Sequence, residues 1–222
     1  LAASAPYEEY VEKIIRLDKQ ITVNKEQTLT EPSDLRKRMI ASGYTMEELE
    51  LILHPMVSDA KETTGSMGDD TPVAVLSSHF RPISHYFRQN FSQVTNPPID
   101  SLRENKIMSL KTRFGNLGNI LDFNNLTQEN IFVLDSPILS NSQFKKFKKL
   151  FAKKIKKIDC TFNVEETLKD NLQRIKEESQ ISVREGFTTL VLSDKNISSE
   201  RANIPMALAV GAVNSNLVNL GL

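Results

Sequence analysis

The sequence predicts an α/β fold in which helices cover a mostly parallel sheet. Short apolar runs typical of buried strands occur at Val73–Leu76, Asn130–Leu134 and Thr188–Leu192. Segments with apolar residues at helical intervals separate these runs, and such alternation favours parallel strands. A chain of 222 residues is long enough for one large domain or two small ones.

The first 60 residues contain two predicted helices. Tyr7–Leu17 carries apolar residues at helical intervals, and a second helix is expected to begin after Thr45. Thr45 and Glu48 have the spacing of a capping box, in which each side chain bonds the backbone N–H of the other residue. Pro55 disfavours continuation, so this helix is expected to end near His54.

Between these helices and residue 110 the sequence predicts short elements and polar loops. The strand Val73–Leu76 follows a polar segment with two glycines, Asp59–Thr71. Ile83–Phe91 and Ser101–Leu110 are expected to be helical, and the turn residues Asn96-Pro97-Pro98 separate them.

The C-terminal half has the clearest pattern. In chain order it predicts a strand at Asn130–Leu134, a lysine-rich helix, a strand within Ile155–Phe162, a helix of about twenty residues, a strand at Thr188–Leu192 and a helix at Pro205–Asn219. Asn163 and Glu166 have the spacing of a capping box before the long helix, and Gly186 can supply the left-handed residue after it.

Composition excludes several classes of function. The 28 lysines and arginines balance 28 aspartates and glutamates, which excludes a strongly basic nucleic-acid binder and an acidic tail as global descriptions. The single cysteine, Cys160, excludes an internal disulfide, a four-thiolate zinc site and a cysteine-held iron–sulfur cluster, and it favours a reducing compartment. No apolar run approaches the roughly 18 residues that span a bilayer. Catalytic and phosphate-binding glycine motifs are absent from the sequence, so catalysis by this chain on its own has little support.

The run Lys145–Lys157 has the form of a basic amphipathic helix. Phe144, Phe147 and Leu150 fall at helical intervals among its lysines. One interpretation is a free-standing module that binds an anionic surface through this helix. The other is a solvated helix whose lysine stems cover apolar neighbours.

The loop Gly65–Pro72 places Asp69 and Asp70 next to glycines. These carboxylates are candidate ligands for a cation in an independent α/β enzyme. The alternative, which the pattern alone favours, is a tight acidic turn in which they cap the loop through its backbone amides.

Two stretches carry sequence motifs that are specific enough to indicate a protein family. The first is Gly65–Pro72 with the run that follows it to Ser77, and the second is Gln93–Asp100 with Arg103-Glu104. Together they closely resemble the central domain of the glutamate synthase large subunit. Asp135–Leu139 and Pro205–Val213 follow in the order of that family, so the resemblance covers nearly the whole chain.

The resemblance implies a part of a larger enzyme. The family's large subunit carries a glutamine amidotransferase, this central domain, an FMN barrel and a β-helix. Ammonia released from glutamine passes through an internal tunnel to 2-oxoglutarate, and reductive amination gives glutamate. We therefore expect residues 1–222 to be the central domain, with residues 1–30 as linker region from the amidotransferase. The implied fold is a rudimentary or incomplete (β/α) TIM-barrel-like domain.

The resemblance also implies roles for four residues. Met67 and Thr95 match positions that line the ammonia tunnel, and Gly68 and Asp69 match the loop that faces 2-oxoglutarate and FMN. No residue here is expected to be catalytic or to bind a metal; FMN and an iron–sulfur cluster are expected elsewhere in the parent enzyme. The expected partners are the amidotransferase and FMN domains of the same chain, with a small NADPH-oxidising subunit or ferredoxin. Nucleic acid and membrane are not expected as partners, and the expected location is cytoplasmic.

Overall fold

The computed structural model describes residues 14–19, 32–60, 63, 68–72, 74–78, 80–91, 107–114 and 131–222. The chain divides into two compact units, Leu1–Gln27 with Glu104–Ala152 and Thr28–Arg103 with Lys153–Leu222. In chain order the elements are β1 (Ile14–Arg16), a first 3-10 helix (Leu17–Lys19), α1 (Pro32–Ala41), α2 (Met46–Glu48), a π-helix (Leu49–Leu53), α3 (His54–Asp59), a second 3-10 helix (Ile83–Tyr86), β2 (Thr112–Phe114), β3 (Ile131–Leu134), α4 (Asn141–Leu150), β4 (Ile155–Asp159), β5 (Thr161–Asn163), α5 (Leu168–Arg184), β6 (Thr189–Ser193), β7 (Arg201–Asn203) and α6 (Met206–Asn219).

The first unit contains a three-stranded sheet in the order β1-β3-β2, in which β3 pairs in parallel with β1 and antiparallel with β2. Leu17, Leu134 and Phe147 form its buried cluster. The ring of Phe147 lies 5.5 Å from that of Phe114 and 4.7 Å from that of Phe151, within the range of favourable aromatic contacts. The strand predicted at the position of β3 is confirmed.

The predicted helix Tyr7–Leu17 is wrong at its end, where Ile14–Arg16 form β1. Isoleucine is β-branched and favours strands, and pairing with β3 supplies partners for the backbone of β1. Residues 7–13 lie outside the described residues.

Helix α4 begins with a capping box: the hydroxyl of Ser140 accepts from the N–H of Gln143, whose side chain accepts from the N–H of Ser140 at 2.9 Å. The helix ends at Leu150, and the chain pairs with β6 from Ile155 onwards. The predicted basic helix over Lys145–Lys157 is therefore wrong in its second half. On the apolar side of α4 Phe147 is buried, Phe144 is partly buried and Leu150 is exposed. Most of its lysines are exposed, as in a solvated amphipathic helix.

The C-terminal part of the second unit is built around two strand pairs. β4 pairs in parallel with β6, and β5 pairs antiparallel with β7. Helices α5 and α6 pack against each other, α5 also contacts β4, and α6 contacts β6. The buried core consists of Ile158, Cys160, Phe162, Ile175, Ile204, Ala209 and Val213. These elements confirm the strands predicted within 155–162 and 188–192 and the C-terminal helix.

Thr167, and not Asn163, is the N-cap of α5. The hydroxyl of Thr167 accepts from the N–H of Asp170 at 3.1 Å, whereas the side chain of Asn163 accepts from the N–H of Glu165 at 3.0 Å in the preceding turn. The predicted cap at Asn163 is wrong because that residue still pairs with β7 as the end of β5. Gly186 has a φ of +93°, as predicted for the residue after this helix.

The capping box predicted at Thr45 and Glu48 is confirmed, and the carboxylate of Glu48 accepts from the N–H of Thr45 at 2.7 Å. The helical segment then continues beyond the predicted end, because α3 contains Pro55 and reaches Asp59. Proline lacks a donor and crowds the preceding turn. The π-helix before it widens that turn, since the N–H of His54 bonds the carbonyl of Leu49.

The strand predicted at Val73–Leu76 is wrong in its described part. Val75 and Leu76 form a turn, closed by a 3.1 Å bond from the N–H of Ser77 to the carbonyl of Ala74. A strand needs partners for its backbone, and no described strand pairs with this segment.

The helix predicted at Ile83–Phe91 is only the second 3-10 helix, because Phe87 has non-helical angles, φ −108° and ψ 85°. Of the helix predicted at Ser101–Leu110, residues 101–106 lie outside the described residues. Met108 to Leu110 are not helical.

The described strands form one three-stranded sheet and two strand pairs, which do not close into a barrel. The parallel pair β4–β6 and its helices agree with the predicted α/β class. Within the described ranges, no helix combines the length and the apolar character needed to cross a membrane.

The core of the second unit gives a stability prediction. Ile175 is 0% exposed, and Ile181 on the same helix is 57% exposed. Ile175→Ala should lower the free energy of unfolding by about 2–5 kcal/mol, because it leaves a cavity as well as losing apolar burial. Ile181→Ala, the matched control, should change it by less than about 1 kcal/mol. Urea unfolding followed by circular dichroism measures both, and equal losses would contradict the assignment of this core.

Candidate functional site

Asp69 connects the loop Gly68–Pro72 to the segment Arg88–Phe91. The N–H of Asp69 donates to the carbonyl of Gln89 at 2.8 Å. The carboxylate oxygen Oδ1 of Asp69 accepts from the N–H of Thr71 at 3.0 Å, a local turn that aspartate commonly forms. Both the backbone and the side chain of Asp69 therefore fix the loop.

An ion pair joins Asp69 to Arg88. Nη1 of Arg88 lies 2.5 Å from Oδ2 of Asp69, and the two residues are 19 positions apart in the sequence. The arginine is largely covered, whereas the carboxylate is half-exposed. Hydrogen bonds between charged groups are among the strong ones, so this contact adds a specific link between two distant segments.

The environment of Asp69 favours its charged form. Hydrogen bonding by Thr71, first through its side chain and then through its backbone N–H, lowers the pKa of Asp69, and Arg88 lowers the pKa further. Asp69 is therefore ionised at neutral pH, with one oxygen bonded to Thr71 and the other to Arg88.

Of the predicted site residues, Gly68 and Asp69 lie together in this loop, and Met67 and Thr95 lie outside the described residues. The predicted capping of the loop by Asp69 is confirmed. In the part of the chain that the structure describes, no group of three or more His, Cys, Asp and Glu residues could hold a metal ion. The sequence did not reveal Arg88, because its stretch was predicted to be helical and no motif distinguishes it from Arg81.

A second polar cluster surrounds the end of β4. Asp159 accepts from the N–H and the hydroxyl of Thr161 at 2.9 and 2.8 Å, and from Asn196 at 2.8 Å. Arg174 and Arg201 both donate to the carbonyl of Thr161, at 3.2 and 2.9 Å. Burial raises the pKa of Asp159, but the hydrogen bonds from Asn196 and Thr161 and the charge of Arg201 outweigh it and lower the pKa overall. Because these donors bond groups at the β4–β5 junction, the cluster has a structural role.

Cys160, between β4 and β5, is completely buried, and this burial raises the pKa of its thiol. A neutral, inaccessible thiol is a poor nucleophile and a poor metal ligand. Cys160 therefore belongs to the buried core of the second unit.

Residues 37–222 match the family model described as glutamate synthase central domain. The chain belongs to this family. The matched region includes the loop Gly68–Pro72 and its partner Arg88. The resemblance seen in the two loop motifs of the sequence is thereby confirmed.

Several longer proteins that are named glutamate synthases are similar to this chain over most or all of its length. The glutamate synthase [NADPH] large chain of Azospirillum brasilense is 47% identical over 228 residues, which cover 100% of this chain and 15% of that relative. The glutamate synthase [NADH] of Schizosaccharomyces pombe is 41% identical over 82% of this chain and 9% of its own length. The chloroplastic ferredoxin-dependent glutamate synthase of Spinacia oleracea is 36% identical over 100% of this chain and 14% of its own length. The chain thus spans a small part of the relatives it matches.

The environment of Asp69 predicts its titration. The pKa of Asp69 should lie below the ordinary 3.8, and Arg88→Gln should raise it only in part, because the hydrogen bonds from Thr71 remain. A lowered carboxyl pKa stabilises the fold above the ordinary pKa, and that stabilisation is lost as the pH falls through the folded-state pKa. Carboxyl NMR titration measures the shift, with the exposed Arg36→Gln on α1 as control. An Asp69 pKa at or above 3.8 would contradict the described contacts.

The burial of Cys160 predicts its reactivity. At pH 8 the native thiol should react with a disulfide reagent at least about 100-fold more slowly than the same thiol in urea, because reaction requires local opening of the core. The absorbance of the released thiolate follows both rates. Comparable rates in native and unfolded protein would show that Cys160 is not in the core.

Proposed function

We propose that the chain is the central connecting domain of a glutamate synthase large chain. It links the glutamine amidotransferase and FMN domains and lines the passage of ammonia during conversion of glutamine and 2-oxoglutarate to glutamate. The observation that supports this most strongly is the loop Gly68–Pro72, which carries the family motif and has a conformation fixed by Asp69. The domain alone is not catalytic, because its one cysteine is buried and cannot act as the amidotransferase nucleophile.

The chemistry of the loop suits the passage of neutral ammonia. Such a passage requires apolar walls and neutral hydrogen-bond acceptors, and a free carboxylate would retain the molecule as ammonium. In this proposal Met67 supplies apolar wall and Thr95 a hydroxyl. Gly68 and Asp69 form the part of the loop that faces 2-oxoglutarate and FMN, and the pairing of Asp69 with Arg88 reduces its ability to hold ammonium.

FMN and the iron–sulfur cluster belong to other domains of the parent in this proposal. When bound there, FMN supplies the reducing equivalents for amination of 2-oxoglutarate. The described residues fit neither group. The only cysteine is buried, and a groove of about 460 Å³ between α5 and α6 contains Lys176 as its one charged lining residue, too little for a flavin phosphate.

Exposed apolar side chains support contact with neighbouring domains. Val75, Leu76 and Phe87 leave 84%, 98% and 78% of their surface exposed. Large apolar side chains that remain exposed can be buried by contact with another domain. We assign these side chains to contacts with the amidotransferase and FMN domains of the same chain. A small NADPH-oxidising subunit or ferredoxin would be the electron donor, in accordance with the names of the relatives.

We further propose that residues 1–222 form the central domain, with residues 1–30 as its link to the amidotransferase, and that it acts in the cytoplasm. The parallel strands β4 and β6, with α5 between them in the sequence, have the arrangement of one βαβ unit. A rudimentary (β/α) barrel is built from such units, which supports a TIM-barrel-like origin of the domain.

The ammonia passage can be tested in the full-length parent enzyme. Met67→Trp adds bulk to the wall, and Thr95→Val removes a hydroxyl while preserving shape. Glutamine-dependent glutamate synthesis should fall at least about tenfold for Met67→Trp and less for Thr95→Val, because packed interiors absorb added volume poorly. Glutaminase activity should be nearly unchanged. The ratio of glutamine hydrolysed to 2-oxoglutarate reduced should therefore rise.

Two substitutions of the same chemistry at exposed positions serve as controls, Met46→Trp on α2 and Thr188→Val before β6. Both should leave the ratio at its wild-type value. If Met67→Trp and Thr95→Val reduce the two activities in parallel, or leave both unchanged, the proposed passage is wrong.

A further inference from the structure

The charge of Asp69 raises an electrostatic problem for the proposed role of its loop. 2-Oxoglutarate carries two carboxylates, and a carboxylate on the loop that faces it would repel the substrate. Arg88 compensates the negative charge of Asp69, because its guanidinium lies 2.5 Å from the carboxylate. The pair has no net charge, and Arg88 is the more covered of its two members.

We propose that Arg88 is a positioning residue that acts through Asp69 on the binding of 2-oxoglutarate. It cancels the carboxylate charge on the loop and holds that loop in one conformation. This inference rests on the proposed function, in which Gly68 and Asp69 face the substrate. No role of Arg88 follows from the sequence motifs, because it lies between them.

Two contacts at adjacent residues make the attachment specific. Arg88 binds the side chain of Asp69, and the carbonyl of Gln89 accepts from the backbone N–H of Asp69 at 2.8 Å. One residue of the first motif is thus held at both its backbone and its side chain. Gln89 also lies four positions before Gln93, where the second motif begins. A change at Arg88 is therefore expected to affect the loop that faces the substrate in this proposal, and not the glutaminase site of the amidotransferase domain.

The test uses the full-length parent enzyme and three single variants. Arg88→Gln should raise the KM for 2-oxoglutarate about three- to tenfold, the effect of one uncompensated charge near a partly solvated anion. Arg88→Lys keeps the charge and should have a smaller effect. The glutaminase kcat/KM should stay within about twofold of wild type in both. Arg36→Gln, at an exposed position on α1, should leave both the KM for 2-oxoglutarate and the glutaminase kcat/KM unchanged.

A double variant separates charge from a purely structural role. Asparagine at position 69 still offers an oxygen to the N–H of Thr71 but carries no charge. Adding Asp69→Asn to Arg88→Gln should therefore restore the KM for 2-oxoglutarate to within about threefold of wild type. A merely structural Arg88 would show no such rescue, because the double variant lacks the ion pair as well.

The outcomes distinguish this inference from the proposed function on which it rests. Gly68→Val adds bulk to the same loop and tests whether the loop faces 2-oxoglutarate at all. If Gly68→Val raises the KM for 2-oxoglutarate and Arg88→Gln does not, or if the double variant is not rescued, the role of Arg88 is wrong. If none of these variants changes that KM, the proposed placement of the loop itself is wrong. Thermal unfolding of each variant confirms that the comparison is made on folded enzyme.

Discussion

The carboxylate of Asp159 organises the junction at which the two strand pairs of the C-terminal part meet. It ends β4 and accepts three hydrogen bonds, two from Thr161 and one from Asn196. Arg174 from α5 and Arg201 from β7 meet at the carbonyl of Thr161. The chain can thus leave its parallel pairing with β6 and pair antiparallel with β7 without leaving the backbone at the junction unsatisfied. Removing one partner would leave charged or polar groups partly buried, which is costly.

The loop of the candidate site is held by polar contacts and not by an apolar core. The C-terminal elements have a continuous apolar core, whereas the loop Gly68–Pro72 is held by polar contacts of Asp69 with Thr71, Arg88 and Gln89. Polar contacts at exposed positions add little stability but fix a geometry. Such a loop can keep one conformation against neighbouring domains of a larger chain. This division agrees with a domain whose core supplies rigidity and whose loops supply contacts.

The sequence predicted the elements whose signals are local. The capping box at Thr45, the left-handed Gly186 and the strands β3, β4 and β6 depend on nearby residues and were found. The helix end predicted before Pro55 was wrong because the preceding π-helix accommodates the proline. The N-cap predicted at Asn163 was wrong because this residue pairs with β7. Apolar composition suggested a strand at Val73–Leu76, but a strand also requires a partner. The motif predicted Gly68 and Asp69 as candidate site residues. The contact of Arg88 with Asp69 required the structure, because a contact over 19 positions leaves no local pattern.

Transfer of ammonia within the parent enzyme tests the central claim most directly. Full-length enzyme would receive glutamine labelled with 15N in its side-chain amide, 13C-labelled 2-oxoglutarate and excess unlabelled ammonium. Mass spectrometry of the 13C-containing glutamate then reports the source of its nitrogen. The proposed passage predicts that wild-type enzyme keeps nearly all of the 15N and that Met67→Trp incorporates mostly unlabelled nitrogen in the glutamate it still forms. Equal dilution of the label in wild type and variant would contradict a passage lined by this domain.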